Sequence, residues 1–215
     1  MTTVAVLGVG RVGSALARAL VAAGYRVHVA SSQPAAEIAL LTEVVIPGAT
    51  ALDAAEAVRE ADIVIVAVPL HKHTTVDPQL LADKVVVDAM NYWAPVDGVI
   101  ADFEDPETTS SEVVARHFAQ SRLVKAFNHI GYHDLEEHAT PKGTPGRRAL
   151  AVASDHCDAA IAVADLVDRI GFDAVQAGPL AAGAALEPGT AVFNGSFTAT
   201  ELADAIELDA ARLAG

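Results

Sequence analysis

A glycine turn near the beginning of the sequence constrains the fold more than any other feature. Residues 4–7 form a short apolar run, and the sequence Gly-Val-Gly-Arg-Val-Gly follows at positions 8–13. Helical spacing of apolar residues continues over residues 12–23 and stops at Gly24. This order predicts a strand, a tight turn and a helix. A glycine spacing of this kind between a first strand and a first helix is typical of a dinucleotide-binding turn.

Each glycine of the turn has its own role in such a motif. The first permits the tight turn, the second lets the backbone approach a pyrophosphate, and the third packs the helix against the strand, so that the helix N-terminal amides face the anion. We therefore predict that the turn binds the cofactor through Gly8, Val9, Gly10, Arg11, Val12 and Gly13.

Strand-like and helix-like segments alternate along most of the remaining chain. The predicted strands are residues 26–30, 62–68, 84–89, 123–127, 148–153 and 174–177. Continuous Ile and Val content in 62–68 is typical of a parallel strand that is covered on both faces. The pattern predicts an α/β fold with a doubly wound, mostly parallel Rossmann-type sheet. In the second half, Ser110 or Ser111 is expected to cap a helix that ends near Phe118.

The alternation ends at Gly178-Pro179, and two helical segments follow. We therefore predict two parts: an NAD(P)-binding domain over residues 1–178, and a small helical C-terminal lobe over residues 179–215 that closes the substrate cleft.

Charge and cysteine content exclude several kinds of partner. The 215 residues include 28 acidic and 14 basic side chains, which gives a formal net charge of -14. Such a chain is repelled by nucleic acid and by anionic membranes, and its apolar runs are far shorter than the roughly 20 residues of a membrane-spanning helix. The lone Cys157 cannot form an intrachain disulfide. We expect a cytoplasmic protein that acts on small molecules, without nucleic-acid or membrane partners.

The end of the second predicted strand indicates which dinucleotide binds. NAD-specific proteins usually carry Asp or Glu there, whereas this chain has Ser31 and Ser32. Two hydroxyl groups without a repelling carboxylate favour NADP(H). The arginine that commonly holds the 2′-phosphate is missing from this stretch. Arg11 either supplies that charge from the glycine turn or is a solvated surface residue.

Further candidates follow the ends of later strands. The backbone of Ala67, Val68 and Pro69 is expected to line the cofactor, and Lys72 is placed to meet a phosphate or a substrate carboxylate. The polar groups of Asn91, Asn128 and His129 are expected to converge on one rim. We predict Asn91 as a cofactor-binding residue, and Asn128 and His129 as candidate catalytic residues.

Four segments together carry a family resemblance. They are the glycine turn, Val-Lys-Ala-Phe-Asn at 124–128, Ala-Gly-Pro-Leu at 177–180 and Phe-Asn-Gly at 193–195. With them the chain resembles the NADP oxidoreductases that depend on coenzyme F420. The resemblance implies a Rossmann-type core, a homodimer, and hydride transfer between NADP(H) and F420 as second substrate. It also implies that the second substrate contacts Asn128, Pro179, Leu180, Phe193 and Asn194.

Alternatives remain open at this level. Asn128 stands where the best-known relatives have histidine, so another small acceptor, such as a flavin, a ferric chelate or an imine, is an alternative substrate; a nonenzymatic NADP(H) sensor is a third. The basic stretch 142–148 either holds an anionic tail or is a surface loop, and Tyr92 and Trp93 either stack on a ring or pack their own loop. Since Gly131 interrupts the spacing of the nearby histidines, we predict no metal site.

Overall fold

The computed structural model describes residues 1–105 and 108–213. Its strands are β1 (Thr3–Leu7), β2 (Arg26–Ala30), β3 (Thr50–Ala51), β4 (Ile63–Val66), β5 (Val85–Asp88), β6 (Arg122–Lys125), β7 (Ala149–Ala153) and β8 (Asp173–Gly178). The α-helices are α1 (Arg11–Ala22), α2 (Ala35–Val45), α3 (Ala54–Arg59), α4 (Ala94–Asp97), α5 (Ser110–His117), α6 (Asp134–Glu137), α7 (Cys157–Arg169) and α8 (Ala199–Leu213). Tighter 3₁₀ helices cover Leu70–Thr75, Pro78–Leu81, Ala101–Phe103 and Leu180–Leu186.

All eight strands form one sheet in the order β3-β2-β1-β4-β5-β6-β7-β8. Strands β1 to β6 are parallel to one another. The chain leaves β1 toward β2 on one side and returns to β4 on the other, which makes the gap above β1 and β4 a topological switch point. The predicted α/β, mostly parallel Rossmann-type fold is confirmed.

The sheet reverses direction at β7, which the sequence analysis did not predict. Strand β7 pairs with β6 in the antiparallel sense through Lys125 and Ala153, and β8 then runs parallel to β7. Because β7 begins beyond the level at which β6 ends, β7 and β8 extend the sheet past the carboxyl ends of β1 to β6.

Two apolar layers cover the sheet. On one face, α1 and α7 pack on alternate residues of the strands through Leu16, Leu20, Val163 and Leu166. On the other face, α3 and α5 pack on the intervening residues through Val58 and Val114. Burial on both faces explains why the parallel strands consist of continuous Val, Ile and Ala rather than an alternating pattern.

The C-terminal segment packs on the added strands. Leu186, Leu202 and Ile206 form a third apolar cluster with Ala149 and Ala151 of β7. Residues 180–186 and 199–213 are helical, as predicted, although the first is a 3₁₀ helix. The division at residue 178 stays a prediction. No helix in the described part of the chain is long and apolar enough to cross a bilayer.

The predicted cap of α5 is wrong. Thr109 is the N-cap: its hydroxyl accepts from the N–H of Glu112, and the Glu112 carboxylate accepts from the N–H of Thr109. The helix therefore begins at Ser110. The hydroxyls of Ser110 and Ser111 instead donate to Glu187 and Asp88, which are distant in sequence.

Candidate functional site

The glycine turn follows β1 and is held tightly between the ends of β2 and β4. The N–H of Gly8 donates to the carbonyl of Ala30 at 2.8 Å, and its φ of +112° is a conformation that favours glycine. A Cβ on Gly8 would lie 2.5 Å from the carbonyl oxygen of Ala67, and a Cβ on Gly13 would lie 1.8 Å from that of Gly8. Both glycines are therefore required by close backbone packing.

Gly10 is the open glycine of the turn. It stands immediately before α1, and a Cβ built on it would meet no atom within 4 Å. The first turn of α1 carries no acidic residue, so no carboxylate within that turn competes for its N-terminal amides. This combination fits the pyrophosphate of a dinucleotide, because free amides and the helix dipole both favour an anion there.

A cavity of about 500 Å³ opens beside this turn at the switch point. Most residues predicted to bind the cofactor line it: Gly8, Val9, Gly10, Ser31, Ser32, Ala67, Val68, Pro69 and Lys72. Sequence reasoning missed Ala54, Thr75 and Asp77, which also line it. Thr75 ends the 3₁₀ helix that carries Lys72, and Asp77 caps the next one. The available signal was the polar stretch that follows Pro69 and continues to Asp77.

Four predicted cofactor residues lie outside this lining. Gly13 is buried under the turn, and Val12 is half-buried at the start of α1. The Arg11 guanidinium lies over the Tyr132 ring, 5.9 Å from its centroid, rather than among the lining residues near Ser31. Asn91 belongs to a separate network at the ends of β5 and β6.

The lining near the end of β2 is neutral. The hydroxyl of Ser31 accepts from the N–H of Gln33 at 3.0 Å and donates to the carbonyl of the same residue at 3.4 Å, and Ser32 is exposed. Asp53 accepts from the N–H of Ala35 at the start of α2, at 2.8 Å. Among the described lining residues, Lys72 is the basic one, and it forms no ion pair with the described part of the chain. Any anionic ligand must therefore rely on amides, hydroxyls and this lysine.

Asn91, Asn128 and His129 form one hydrogen-bond network, as their positions after neighbouring strands predicted. The Asn128 Nδ2 donates to Asn91 Oδ1 at 3.1 Å and to the carbonyl of Leu186 at 2.7 Å. In return, Asn91 Nδ2 donates to the carbonyl of Asn128 at 2.6 Å. Asn128 and His129 are each only 3% exposed, whereas Asn91 is half-buried. The network thus reaches the surface at Asn91.

His129 is held in its neutral form. Its Nε2 accepts from the N–H of Ala151 at 3.0 Å, and its Nδ1 faces Asn128 Oδ1 at 3.3 Å. Burial, together with the positive charges of Lys125 and Arg148, lowers the pKa of His129 to about 3. The candidate catalytic side chains of Asn128 and His129 are therefore engaged with the protein itself rather than directed to a ligand.

The four remaining predicted substrate residues occupy two places. The Leu180 side chain is buried in the core against β5 and β6, and its N–H donates to Asp155; Pro179 beside it is exposed. Asn194, with a φ of +60°, donates its N–H to the carbonyl of His129 at 3.0 Å, and Phe193 is half-buried next to it. Phe193 and Asn194 thus adjoin the network, whereas Leu180 serves the core.

A buried ion pair at the same edge was not predicted. Lys125 and Asp88 are register partners at the ends of β6 and β5, both fully buried, with Nζ and Oδ2 3.1 Å apart. Lys125 also donates to the carbonyl of Met90, and Ser111 donates to Asp88. Each charge is compensated, as buried charges must be.

The basic stretch 142–148 is neutralised within the fold. Arg147 pairs with Asp168 and Asp173, and Lys142 pairs with Asp168. Arg148 pairs with Asp134 and donates to the carbonyl of Gly195 at 2.6 Å. Both arginines are buried, so the expectation of a solvated surface loop does not hold for them.

Tyr92 and Trp93 differ in their surroundings. Tyr92 stacks on Phe103 and bonds Glu104, so it packs its own loop. Trp93 is 46% exposed, and its N–H donates to Asp97, which also pairs with His71.

The strand order, the switch point and the glycine turn together define a dinucleotide-binding protein of the Rossmann class. The model of the family described as "NADP oxidoreductase coenzyme F420-dependent" matches residues 3–92. A comparison with curated proteins finds no match.

Solved structures extend the similarity over the chain. A hypothetical protein from Sinorhizobium meliloti is 30% identical, with a TM-score of 0.80 over 92% of this chain and 96% of that chain. A candidate F420-dependent NADP-reductase from Arthrobacter sp. FB24 is 23% identical, with a TM-score of 0.70 over 83% and 86%. An imine reductase from Pseudomonas sp. is 20% identical, with a TM-score of 0.59 over 99% and 63%.

Over residues 3–92 the chain is thus similar to the family of NADP oxidoreductases dependent on coenzyme F420. The family resemblance inferred from its residues is confirmed, and the protein is an NADP-dependent oxidoreductase.

Proposed function

We propose that the protein transfers a hydride between NADP(H) and coenzyme F420. The observation that carries this proposal is the cavity at the switch point, which joins an anion-ready helix terminus to a lining of small and hydroxyl-bearing residues. The match of residues 3–92 to the F420-dependent family supports the deazaflavin as the second substrate.

Binding of NADP(H) is assigned to residues of this cavity. The amides that follow Gly10 take the pyrophosphate, and Ser31 and Ser32 donate hydroxyls to the 2′-phosphate. Lys72 adds a positive charge at the rim, while Ala67 to Pro69 offer a backbone surface. Arg11 plays no part in this assignment, since its guanidinium lies over Tyr132.

The second substrate is assigned to the edge beyond β5 and β6. Asn91 reaches this edge, and Phe193 and Asn194 border it from the C-terminal segment. Strands β7 and β8 stand beside it because they extend past the ends of the parallel strands. This arrangement supplies a wall that keeps water from two stacked rings.

The hydride chemistry belongs to the two ring systems, and it requires no protein nucleophile. The chain's task is to hold the rings with their reacting carbons about 3–3.5 Å apart. Reduction of the deazaflavin takes up one hydride and one proton. We assign that proton to water, because both ring nitrogens of His129 are bonded within the protein and the carboxamide of Asn128 is not an acid.

One observation favours a second candidate, the reduction of a small acceptor without an anionic tail, such as an imine. The cations of the 142–148 stretch, which an anionic tail would need, are paired with Asp134, Asp168 and Asp173.

An absorbance assay of NADPH oxidation tests these functions. Purified protein is mixed with NADPH and one acceptor at a time: F420, free flavin or a cyclic imine. Of the three acceptors, we expect only F420 to cause rapid loss of NADPH. Turnover of only the imine would replace the leading function with the second, and tight NADPH binding without any turnover would overturn both and leave a nucleotide sensor. Gly10→Val should abolish binding, while Ala22→Val, at the exposed end of the same helix, is the matched control.

A further inference from the structure

The network at the ends of β5 and β6 has a fixed direction of hydrogen bonding. It starts at the backbone N–H of Ala151, which can only donate, so Nε2 of His129 must accept and the ring proton must lie on Nδ1. That proton points to Asn128 Oδ1, which orients the Asn128 carboxamide with Nδ2 toward Asn91 and Leu186. No choice of tautomer or amide orientation remains in this series.

Asn91 is the last residue of this series, and its side chain has an unused hydrogen-bond donor. Its Oδ1 accepts one hydrogen bond and its Nδ2 donates one, which leaves one N–H of the carboxamide without a partner in the described part of the chain. Asn128 has none left, since both of its Nδ2 protons are used. The remaining N–H belongs to Asn91, the half-buried residue at which the network reaches the surface.

Backbone strain is concentrated at the same place. Phe127, which is 1% exposed, has a φ of +65°, and Asn194, whose N–H bonds the carbonyl of His129, has a φ of +60°. For a bulky aromatic residue this conformation is an outlier that persists only where the surroundings impose it, and such outliers cluster at ligand sites. The turn after β6 is thus held in a defined shape.

We propose that His129 and Asn128 are positioning residues that hold the Asn91 carboxamide so that its spare N–H binds a ring-borne carbonyl of a ligand. Two ligands offer that chemistry: the nicotinamide carboxamide of NADPH and the ring carbonyls of a deazaflavin. The proposal rests on the proposed function for the second of these. Because Asn194 and Leu186 are bonded to the same residues, the network also ties the C-terminal wall to Asn91.

Two substitutions of His129 separate its two bonds. In His129→Asn the amide nitrogen takes the place of Nδ1 and keeps Asn128 oriented, but Ala151 loses its acceptor. In His129→Gln the longer side chain keeps an acceptor near Ala151 and releases Asn128. We expect His129→Gln to lower kcat/KM roughly 10- to 100-fold with a melting temperature close to wild type. His129→Asn should show the opposite: a lower melting temperature and kcat/KM within about threefold of wild type.

The ligand contact of Asn91 and the protonation of His129 can each be tested directly. Asn91→Ala should raise the Kd for NADPH, measured by fluorescence, or the KM for F420, and the affected ligand identifies the carbonyl that is bound. Nitrogen NMR of labelled histidine should find His129 neutral with its proton on Nδ1 from pH 5 to about pH 8.

Unchanged Kd and KM in Asn91→Ala, or a His129 ring protonated on Nε2, would overturn the proposal. If F420 is not turned over but Asn91→Ala still weakens NADPH binding, the network stands and only the proposed acceptor fails.

Discussion

Gly10 and Gly13 stand three residues apart in the same motif, yet the room for a side chain differs completely between them. A methyl group on Gly13 would lie 1.8 Å from the Gly8 carbonyl oxygen, a backbone atom that cannot move without opening β1 from α1. Gly10 has an extended backbone, with a φ of -73° and no neighbour within 4 Å of a Cβ. Gly13 is thus required for packing within the fold, whereas Gly10 leaves room for a ligand.

This difference gives the first prediction. Gly13→Ala should lower the free energy of unfolding by about 3 kcal/mol or more, because the overlap is with backbone rather than with a flexible side chain. Gly10→Ala should leave the unfolding free energy within about 0.5 kcal/mol of wild type but raise the Kd for NADPH roughly tenfold. Urea unfolding and fluorescence titration measure the two quantities. Equal stability losses in the two variants would contradict the assignment.

Ser31 is expected to decide which dinucleotide binds. Ser31→Asp places a carboxylate beside the proposed 2′-phosphate position, so the Kd for NADPH should rise roughly tenfold or more while the Kd for NADH changes little. Ser31→Asn is the matched control, since it adds the same volume without charge. If NADPH and NADH are weakened equally, Ser31 does not face the 2′-phosphate.

At the scale of elements, the start of α5 depends on a reciprocal pair of hydrogen bonds. Thr109 and Glu112 each satisfy the other's backbone N–H, which would otherwise have no partner within the helix. The same helix carries Ser111, which bonds Asp88 beneath the Asn91 network. Fraying of the first turn of α5 would therefore loosen the support of the buried ion pair.

Removal of this cap tests its importance. Thr109→Ala should lower the free energy of unfolding by about 1 kcal/mol, the usual cost of losing an N-cap side chain. Thr74→Ala, at an exposed position of the 3₁₀ helix Leu70–Thr75, removes the same atoms without a cap and should change stability little. Chemical denaturation of both variants measures the difference, and equal losses would show that the capping bonds contribute nothing.

The elements that depend on local sequence were predictable. The glycine turn combines a motif with its context, and the apolar runs of β1, β2, β4 and β5 mark buried strands. The direction of β7 was not predictable, because its apolar run, Ala149–Ala153, has the same pattern in either orientation. The cap at Thr109 was missed because four neighbouring residues, 108–111, carry hydroxyls that suit an N-cap. The available signal was Glu112, which stands three residues after Thr109 in the spacing of a capping box.

The candidate site also has a part that the sequence predicted and a part that it could not. Residues at the ends of parallel strands converge by geometry, so the sequence predicted the positions of Ser31, Pro69, Asn91 and Asn128. It could not predict that His129 is neutral, because that state is imposed by Ala151, Lys125 and Arg148 from other strands. Only the tertiary structure identifies His129 as a residue whose nitrogens are both occupied.

For the whole molecule, the buried neutral His129 makes stability depend on pH. Its folded pKa of about 3 lies below the value near 6.5 of an unfolded chain, so below about pH 6.5 the unfolded state binds a proton that the folded state does not. The free energy of unfolding should therefore fall with decreasing pH between about 6.5 and 3. The slope from this residue is at most about 1.4 kcal/mol per pH unit.

Urea unfolding at pH 7 and pH 5 measures this effect. Wild type should lose roughly 2 kcal/mol from His129 across the interval, and His129→Asn should lose correspondingly less. His133→Asn, an exposed neighbour, is the control and should keep the wild-type dependence. An identical pH dependence in wild type and His129→Asn would contradict the linkage.

The charge of the molecule affects how NADPH arrives. A net charge of -14 opposes an incoming polyanion at long range, and salt screens that repulsion over about 8–10 Å. The association rate constant for NADPH should therefore rise as ionic strength increases toward about 0.15 M. Stopped-flow fluorescence measures the rate, and uncharged adenosine serves as the control ligand. A rate that falls with salt would mean that Lys72 and the α1 terminus dominate the approach.

The reversal of the sheet at β7 bears on how such proteins diversify. The nucleotide half ends at β6, and β7 joins it by one antiparallel register pair, Lys125 with Ala153, while β8 and α8 are built on β7. Exchange of the portion after β6 for one that admits a different acceptor must therefore keep the residues of α7 that pack with α1, such as Val163 and Leu166, and can leave the glycine turn unaltered. Chimaeras for new substrates are best joined between residues 126 and 148, where the chain passes from one direction of the sheet to the other.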